Sequence, residues 1–364
     1  MGAPSINIAF YEMAIAAIQR GEKGTIAMIL VDDSVEAVTT YTVLDSTDIP
    51  TGLSAANKGY IAAALKGYIT APRKIFVMAV PDAAGYTDAM NALELMKWDY
   101  LVAPTATTDS KAADIVAWIK AQRDNNHKIF KAVLPNNVAN HEGIINVVDG
   151  YTDEDGTVLT AEQACARIAG IIAGTPWTMS CTYAPIPEAL GCASRSQSDL
   201  DTAVDAGKLC LMWDGDKVKV VRGVNSLTTT SESKGESFKK IRLVEIMDMI
   251  SNDIRVTAQD NYIGKYTNSY DNKCLLTTAV NGYFDTLVED GILASGLCEI
   301  DVDAQKTWIK AHGGKFVVDG ETVDIEAATE EQIRKANTGS QVFLKATISM
   351  LDAIEDITLD IYIG

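Results

Sequence analysis

From Thr25 to about residue 134 short apolar runs alternate with longer segments of helical period, and this alternation constrains the fold more than any other feature. The run Thr25-Ile-Ala-Met-Ile-Leu-Val31 reads as a buried strand. Over 54–69 the set Leu53, Ala56, Tyr60 and Ala64, and the set Ile61, Leu65 and Tyr68, recur at helical spacing. The pattern repeats: strand 74–80, helix 86–98, strand 100–103, helix 110–123, strand 128–134. Strands separated by helices of this length predict an α/β layer with a largely parallel sheet.

The second half changes character. Thr160 and Gln163 have capping-box spacing at the start of a helix carrying Ala166, Ile168, Ala169, Ile171 and Ile172. A Pro-rich stretch at 183–187, a polar segment at 194–205 and strands at 208–213 and 217–221 follow. Residues 226–237 are mostly Ser, Thr, Glu and Lys and read as an exposed loop or a domain boundary. Beyond them Leu243, Met247, Ile250 and Ile254 mark an amphipathic helix. Helices are expected at 277–288 and 303–311, the latter closed by Gly313-Gly314, and a further one opens with the capping box Thr329 to Gln332. The chain then alternates at period two over 342–349 and again over 357–363. Helices followed by strands make this part α+β in pattern.

Both termini carry strand-period segments outside the inferred cores. Ile6, Ile8 and Phe10 alternate with Asn7 and Ala9, and Ile357, Leu359, Ile361 and Ile363 alternate with Thr358, Asp360 and Tyr362. Such arms either join the chain's own sheet or add to the sheet edge of a neighbour. Charged or glycine residues at 19–24 and 352–356 are the expected hinges. The expected division is arm 1–20, an N-terminal α/β part 21–90, a middle domain 91–235, a C-terminal domain 236–350 and a second arm 351–364.

Composition narrows function by exclusion. With 31 Lys and Arg against 49 Asp and Glu the net charge is −18, which disfavours a nucleic-acid partner and an anionic membrane surface. The apolar stretch 168–177 falls short of the roughly 20 residues a bilayer span needs. No Lys or Arg precedes Arg20 and Glu12 interrupts the opening apolar stretch, so a secretory signal is not expected and the chain is expected to start in the cytosol. Cys165, Cys181, Cys192, Cys210, Cys274 and Cys298 are scattered without a C-x-x-C pair, as free and mostly buried thiols are. His127, His141 and His312 are expected at the surface, and Asp153 to Gly156 as a polar turn. No nucleophile elbow or phosphate loop is present, so no catalytic residue, cofactor or metal is expected. The alternative is an α/β enzyme or ligand-binding protein with a dispersed site.

An ordered series of motifs resembles one family. Residues 166–174, Trp177 and the segment Ala184 to Gly191, then Gly223 to Leu227, then 241–250 with Leu275 to Gly291 including Phe284 and Leu287, are similar to the contractile phage tail sheath family. The resemblance spans most of 160–364. It implies a middle α/β domain likened in fold to subtilisin without protease function, and a smaller C-terminal domain facing an inner tube. It also implies arms that add strands to neighbouring subunits of a helical homopolymer of stacked rings, hexameric in the family. Further implied partners are the tube protein, the baseplate and a tail terminator, in a phage tail or phage-tail-like particle such as a bacteriocin, assembled in the bacterial cytoplasm and released by lysis. Contact with the tube must be weak enough to slip, so Lys239, Lys240 and Arg242, or Arg334 and Lys335, are the candidate tube contacts, with solvated helix faces as the plain alternative.

Overall fold

The protein is described by a computed structural model over residues 17–363. The chain divides into two compact units that are not consecutive in sequence: 22–249 with 352–363, and 17–21 with 250–351. The chain passes from one to the other at Gly21, Met249 and Leu351.

In the larger unit the elements follow as β1 (Thr25–Val31), β2 (Thr39–Val43), α1 (Ala55–Leu65), β3 (Lys74–Val80), α2 (Tyr86–Glu94), β4 (Tyr100–Val102), α3 (Ala112–Asp124), β5 (Lys131–Pro135) and β6 (Ile144–Val147). They form one sheet in the order β2-β3-β1-β4-β5-β6, parallel except for β2, which runs antiparallel at the edge. β1, β4, β5 and β6 are buried almost throughout, which explains their mainly apolar runs, interrupted by the buried Lys131 and Asn146.

After β7 (Tyr151–Thr152), α4 (Ala161–Ala173) starts at the expected capping box and packs on α1 and on the sheet. A Cβ on Gly170 would lie 2.2 Å from the carbonyl oxygen of Ala64, so only glycine permits this close helix crossing. One face of the sheet is covered by α1 and α4. The other is covered by α2 and α3 with an aromatic stack in which Trp98 and Phe130 lie 3.9 Å apart, centroid to centroid. That stack explains why α2 ends at Glu94 and not near Trp98: the Trp98 indole N–H donates to the Leu93 carbonyl as the ring turns into the core.

The unit continues with β8 (Pro185–Ile186), β9 (Gly191–Cys192), α5 (Gln197–Asp205), β10 (Leu211–Trp213) and β11 (Val218–Val220). β10, β11 and β8 make a small antiparallel sheet. α6 (Ile241–Thr257) follows, and the division between the units falls within it.

The smaller unit is α+β. α7 (Tyr270–Glu289) packs on β12 (Leu293–Ile300), where Gly296 leaves room for the Phe284 ring. α8 (Val302–Ala311), β13 (Lys315–Val318), β14 (Glu321–Asp324), α9 (Glu330–Lys335) and β15 (Leu344–Met350) complete it. Ile309, Phe316, Val318, Ile325 and Ile333 form its second core. Lys273 is buried at its centre, hydrogen-bonded to Gln305, Thr338 and the Ala336 carbonyl at the end of α9. An α/β core domain and a smaller α+β C-terminal domain are therefore both present.

Candidate functional site: the arm bases and the assembly surface

At the C-terminal ends of β1 and β4, where the strand order reverses and ligands commonly bind in α/β sheets, the carboxylates serve the fold. Asp32 accepts from the backbone N–H of Ser34 and Ser54 and from the Asn57 amide at 2.7 to 3.0 Å. Burial alone would raise this carboxyl, but these hydrogen bonds hold it well below the usual range. Asp109 accepts from Thr105 and Tyr86. A cavity of about 500 Å³ near the ends of β5 and β6 includes Asn136, Asn146, Lys208 and Arg195, whose guanidinium is already engaged with Asp149.

Residues 351–363 belong to no strand of the chain, and Ile354, Ile357, Leu359, Ile361 and Ile363 stand 74–97 % exposed. The apolar alternation read from the sequence at 357–363 is thus left without a partner among the described residues. Ile6, Ile8 and Phe10 lie outside the described residues. The other expected terminal strand is β15, antiparallel to β12, and among the described residues each of the two has one unpaired edge.

The base of the tail is held by charges. Glu355 has a buried side chain that accepts from Thr182 Oγ1 at 2.5 Å, Ser180 Oγ at 3.1 Å and Lys240 Nζ at 3.1 Å. Lys240 also pairs with Asp352, and Arg222 donates to Asp356 at 2.5 Å. Burial would lower the Lys240 ammonium, but Asp352 and Glu355 outweigh it and raise its pKa. The stretch 352–356, expected as a hinge for its charges, uses those charges as anchors.

The five candidate tube cations are divided between the units. Lys239 pairs with Glu236 at 2.9 Å, and Arg242 is 4 % exposed with its Nε–H donating to the Trp177 carbonyl. Lys240 and Arg242 are therefore not on a freely solvated helix face; loop 177–182 and the tail base cover them. Arg334, 3.7 Å from Glu299, and Lys335, 2.9 Å from Glu331, are partly exposed in the smaller unit.

α6 departs from simple amphipathicity. Besides Ile241, Leu243, Val244, Ile246, Met249 and Ile250 it buries Glu245 and Asp248. Glu245 accepts from the Tyr100 hydroxyl and pairs with Lys23 at 2.7 Å; Asp248 takes a bidentate Arg123 and Lys131, all at 2.9 Å. Burial raises the Asp248 carboxyl, yet Lys131 and Arg123 pull it below the ordinary carboxylate range, while burial and then Glu245 push the Tyr100 phenol far up. Lys23 is fixed in turn to the Thr175 carbonyl, and Gly24 and Thr25 donate to Asp99, so the end of the expected 19–24 hinge is tied down. Sequence reading missed this network. The available signal was two carboxylates three residues apart within the mainly apolar stretch 243–250.

His127 and His312 are exposed as expected, but His141 is 6 % exposed. It is buried because the turn before β6 folds over the end of α3, where Nδ1 accepts from the Gly143 N–H at 3.0 Å and Nε2 lies 3.4 Å from Asp124. Asp124, His141 and Glu142 bring three ligand-type atoms within 4.8 Å of one another. Two facts argue against a metal there. Lys234 already donates to both Glu142 oxygens at 3.0 Å, and a neutral ring accepting at Nδ1 carries its proton on Nε2, the atom facing the carboxylates. The cluster fastens the 226–237 loop, helped by Asn140, which accepts from Thr228 and Thr229. All six cysteines are free, four of them buried.

Among the described residues the chain thus presents an α/β core with structural carboxylates at its strand ends, a smaller α+β unit with open strand edges and an uncovered apolar tail. The comparisons make this specific. Residues 79–226 match the phage tail sheath protein central domain and residues 233–364 the phage tail sheath C-terminal domain. The chain is 36 % identical over 365 residues to a tail sheath protein of Clostridium phage phiCD119, covering 98 % of each. In structure it is similar to a sheath tail protein from Desulfitobacterium hafniense, with TM-score 0.69, 20 % identity and coverage of 95 % of this chain and 100 % of that one. It is also similar to the helical sheath of the anti-feeding prophage in its contracted state, with TM-score 0.66, 13 % identity and coverage of 100 % and 99 %. The chain belongs to the phage tail sheath family and is a structural component of a phage tail or tail-like particle.

Proposed function

We propose that the protein polymerises into a sheath around an inner tube and that contraction of the sheath drives the tube through a target cell envelope. The observation that carries this is relatedness to a tail sheath protein over 98 % of the chain, joined to a C-terminal tail whose apolar alternation no described residue covers. The arms 1–20 and 351–364 donate strands to neighbouring copies, with Ile6, Ile8 and Phe10 at one end and Ile357, Leu359, Ile361 and Ile363 at the other. The unpaired edges of β12 and β15 are suitable acceptors. The segment 91–235 acts as the middle domain, likened through the family to subtilisin, and 236–350 as the tube-facing domain. In this scheme rings of six stack between a baseplate and a tail terminator, and the particle forms in the bacterial cytoplasm and leaves by lysis. Arg334 and Lys335 are better placed for the tube than Lys240 and Arg242, which already hold the tail base. Negative-stain microscopy of the purified chain tests the proposal: hollow cylinders are expected, and a small discrete species at high concentration with tube protein present would overturn it.

A further inference from the structure

The tail base is more elaborately held than a linker requires. Three segments converge on it: the loop 180–182, the end of β11 at Arg222, and the residues entering α6. Each supplies donors and the tail supplies only acceptors: Asp352, Glu355 and Asp356. Glu355 is the central group, with two hydroxyls and the Lys240 ammonium on its oxygens and Arg222 Nε at 4.0 Å. The hydroxyls are themselves set in place, since Thr182 Oγ1 accepts from the Gly223 N–H and Ser180 Oγ lies 2.9 Å from it. A side chain on Gly223 would strike Cys181 Sγ at 2.8 Å and Ser180 Oγ at 3.2 Å, so this close packing depends on glycine there. One residue beyond the anchors the chain becomes exposed and apolar.

We infer that residues 352–356 form an electrostatic latch that fixes the point from which 357–363 departs, with Glu355 as its bolt. A strand donated to another copy slips by one residue at the cost of turning every side chain to the wrong face, so a fixed departure point sets its register. The Lys240–Asp352 and Arg222–Asp356 pairs are partly exposed and individually weak, so the buried Glu355 carboxylate is the one contact that opening must rehydrate, and no core residue has to move. The register role rests on the proposed strand donation; the latch itself does not.

Cleavage of the unassembled full chain after Glu355 by a glutamate-specific protease reads the open fraction, because the enzyme must take up the carboxylate that the latch holds. Glu154, in the exposed turn at 153–156, supplies the reference cut in the same molecule. Replacing Arg222 and Lys240 together by Ala should raise the ratio of the two rates about tenfold, and added salt should raise it in the unaltered chain. Exchanging one pair, Arg222→Asp with Asp356→Arg, should return the ratio toward its original value relative to Arg222→Asp alone. A ratio unmoved by salt and by the double substitution, with the thermal midpoint unchanged, overturns the latch. If a chain lacking 357–364 still builds cylinders, strand donation fails while the latch stands; if cylinders are lost but the ratio never responds, the latch alone fails.

Discussion

The first turns of α6 and the C-terminal tail invert each other. α6 buries Arg242, Glu245 and Asp248, whereas the tail exposes Ile357, Leu359, Ile361 and Ile363. In both places the residue type alone points the wrong way. A charge is tolerated inside when its partners are present, as Arg123 and Lys131 are for Asp248; an apolar segment stays exposed when no described residue packs over it, as at 357–363. The inversion therefore separates a helix whose charges find their partners within the unit from a tail that the described residues leave uncovered, the segment proposed above for donation to another copy.

The largest effect is expected at the tail. Deleting 357–364 removes no core residue among those described, so the monomer should unfold at nearly the same temperature while cylinders disappear from negative-stain fields. Cooperative destabilisation by this deletion would mean that the tail belongs to the fold and would break the comparison.

The opposite pattern is expected in α6. Asp248→Ala leaves Lys131 buried without a counter-charge and Arg123 with Glu142 at 3.6 Å, and loss of one partner of such a group costs about 3–5 kcal/mol. Denaturant unfolding should register that loss, with assembly falling only because less chain is folded. A change under about 1 kcal/mol would show that water reaches Arg123 and Lys131.

Lys273 sharpens the contrast, being a buried ammonium bonded to neutral acceptors. Burial lowers its pKa, so the folded chain binds fewer protons than the unfolded one between that lowered value and the ordinary lysine value near ~10.4. Stability of the smaller unit should therefore climb as pH rises through that interval. Lys273→Met should flatten the climb while changing stability near neutrality by less than about 1.5 kcal/mol. A climb that survives the substitution would point to another group.

The smallest effect concerns the clasp on the 226–237 loop. Burial raises the Glu142 carboxyl, but His141, Lys234 and Arg123 bring it below its ordinary value, so its contribution is present above about pH 4.3 and lost as pH falls through the lowered value. His141, lowered chiefly by burial despite Glu142 and Asp124, adds a loss of the same sign as pH falls below about 6.5. Hydrogen exchange at Thr228 and Thr229 should quicken over this range, and Glu142→Gln should remove the lower part of the response, worth about 1 kcal/mol. Exchange that ignores pH apart from its intrinsic rate would show that Asn140 alone holds the loop.

The sequence by itself determined what is local or periodic. Thr160 with Gln163 and Thr329 with Gln332 form the capping boxes their spacing announces, and the apolar runs at β1 and β3 become strands of the sheet, because each signal is complete within a few residues. The family resemblance was legible for a related reason: an ordered set of short motifs survives without knowledge of what each one touches. Tertiary structure alone decided which charges are interior and which cations are available. Lys23 and Glu245 are separated by 222 positions, and Lys240 and Glu355 by 115, and no periodicity links such pairs. Whether a charged residue is solvated or buried depends on the counter-charge that folding brings to it, and that partner's position is set by the sheet, the helix crossings and the path of the tail.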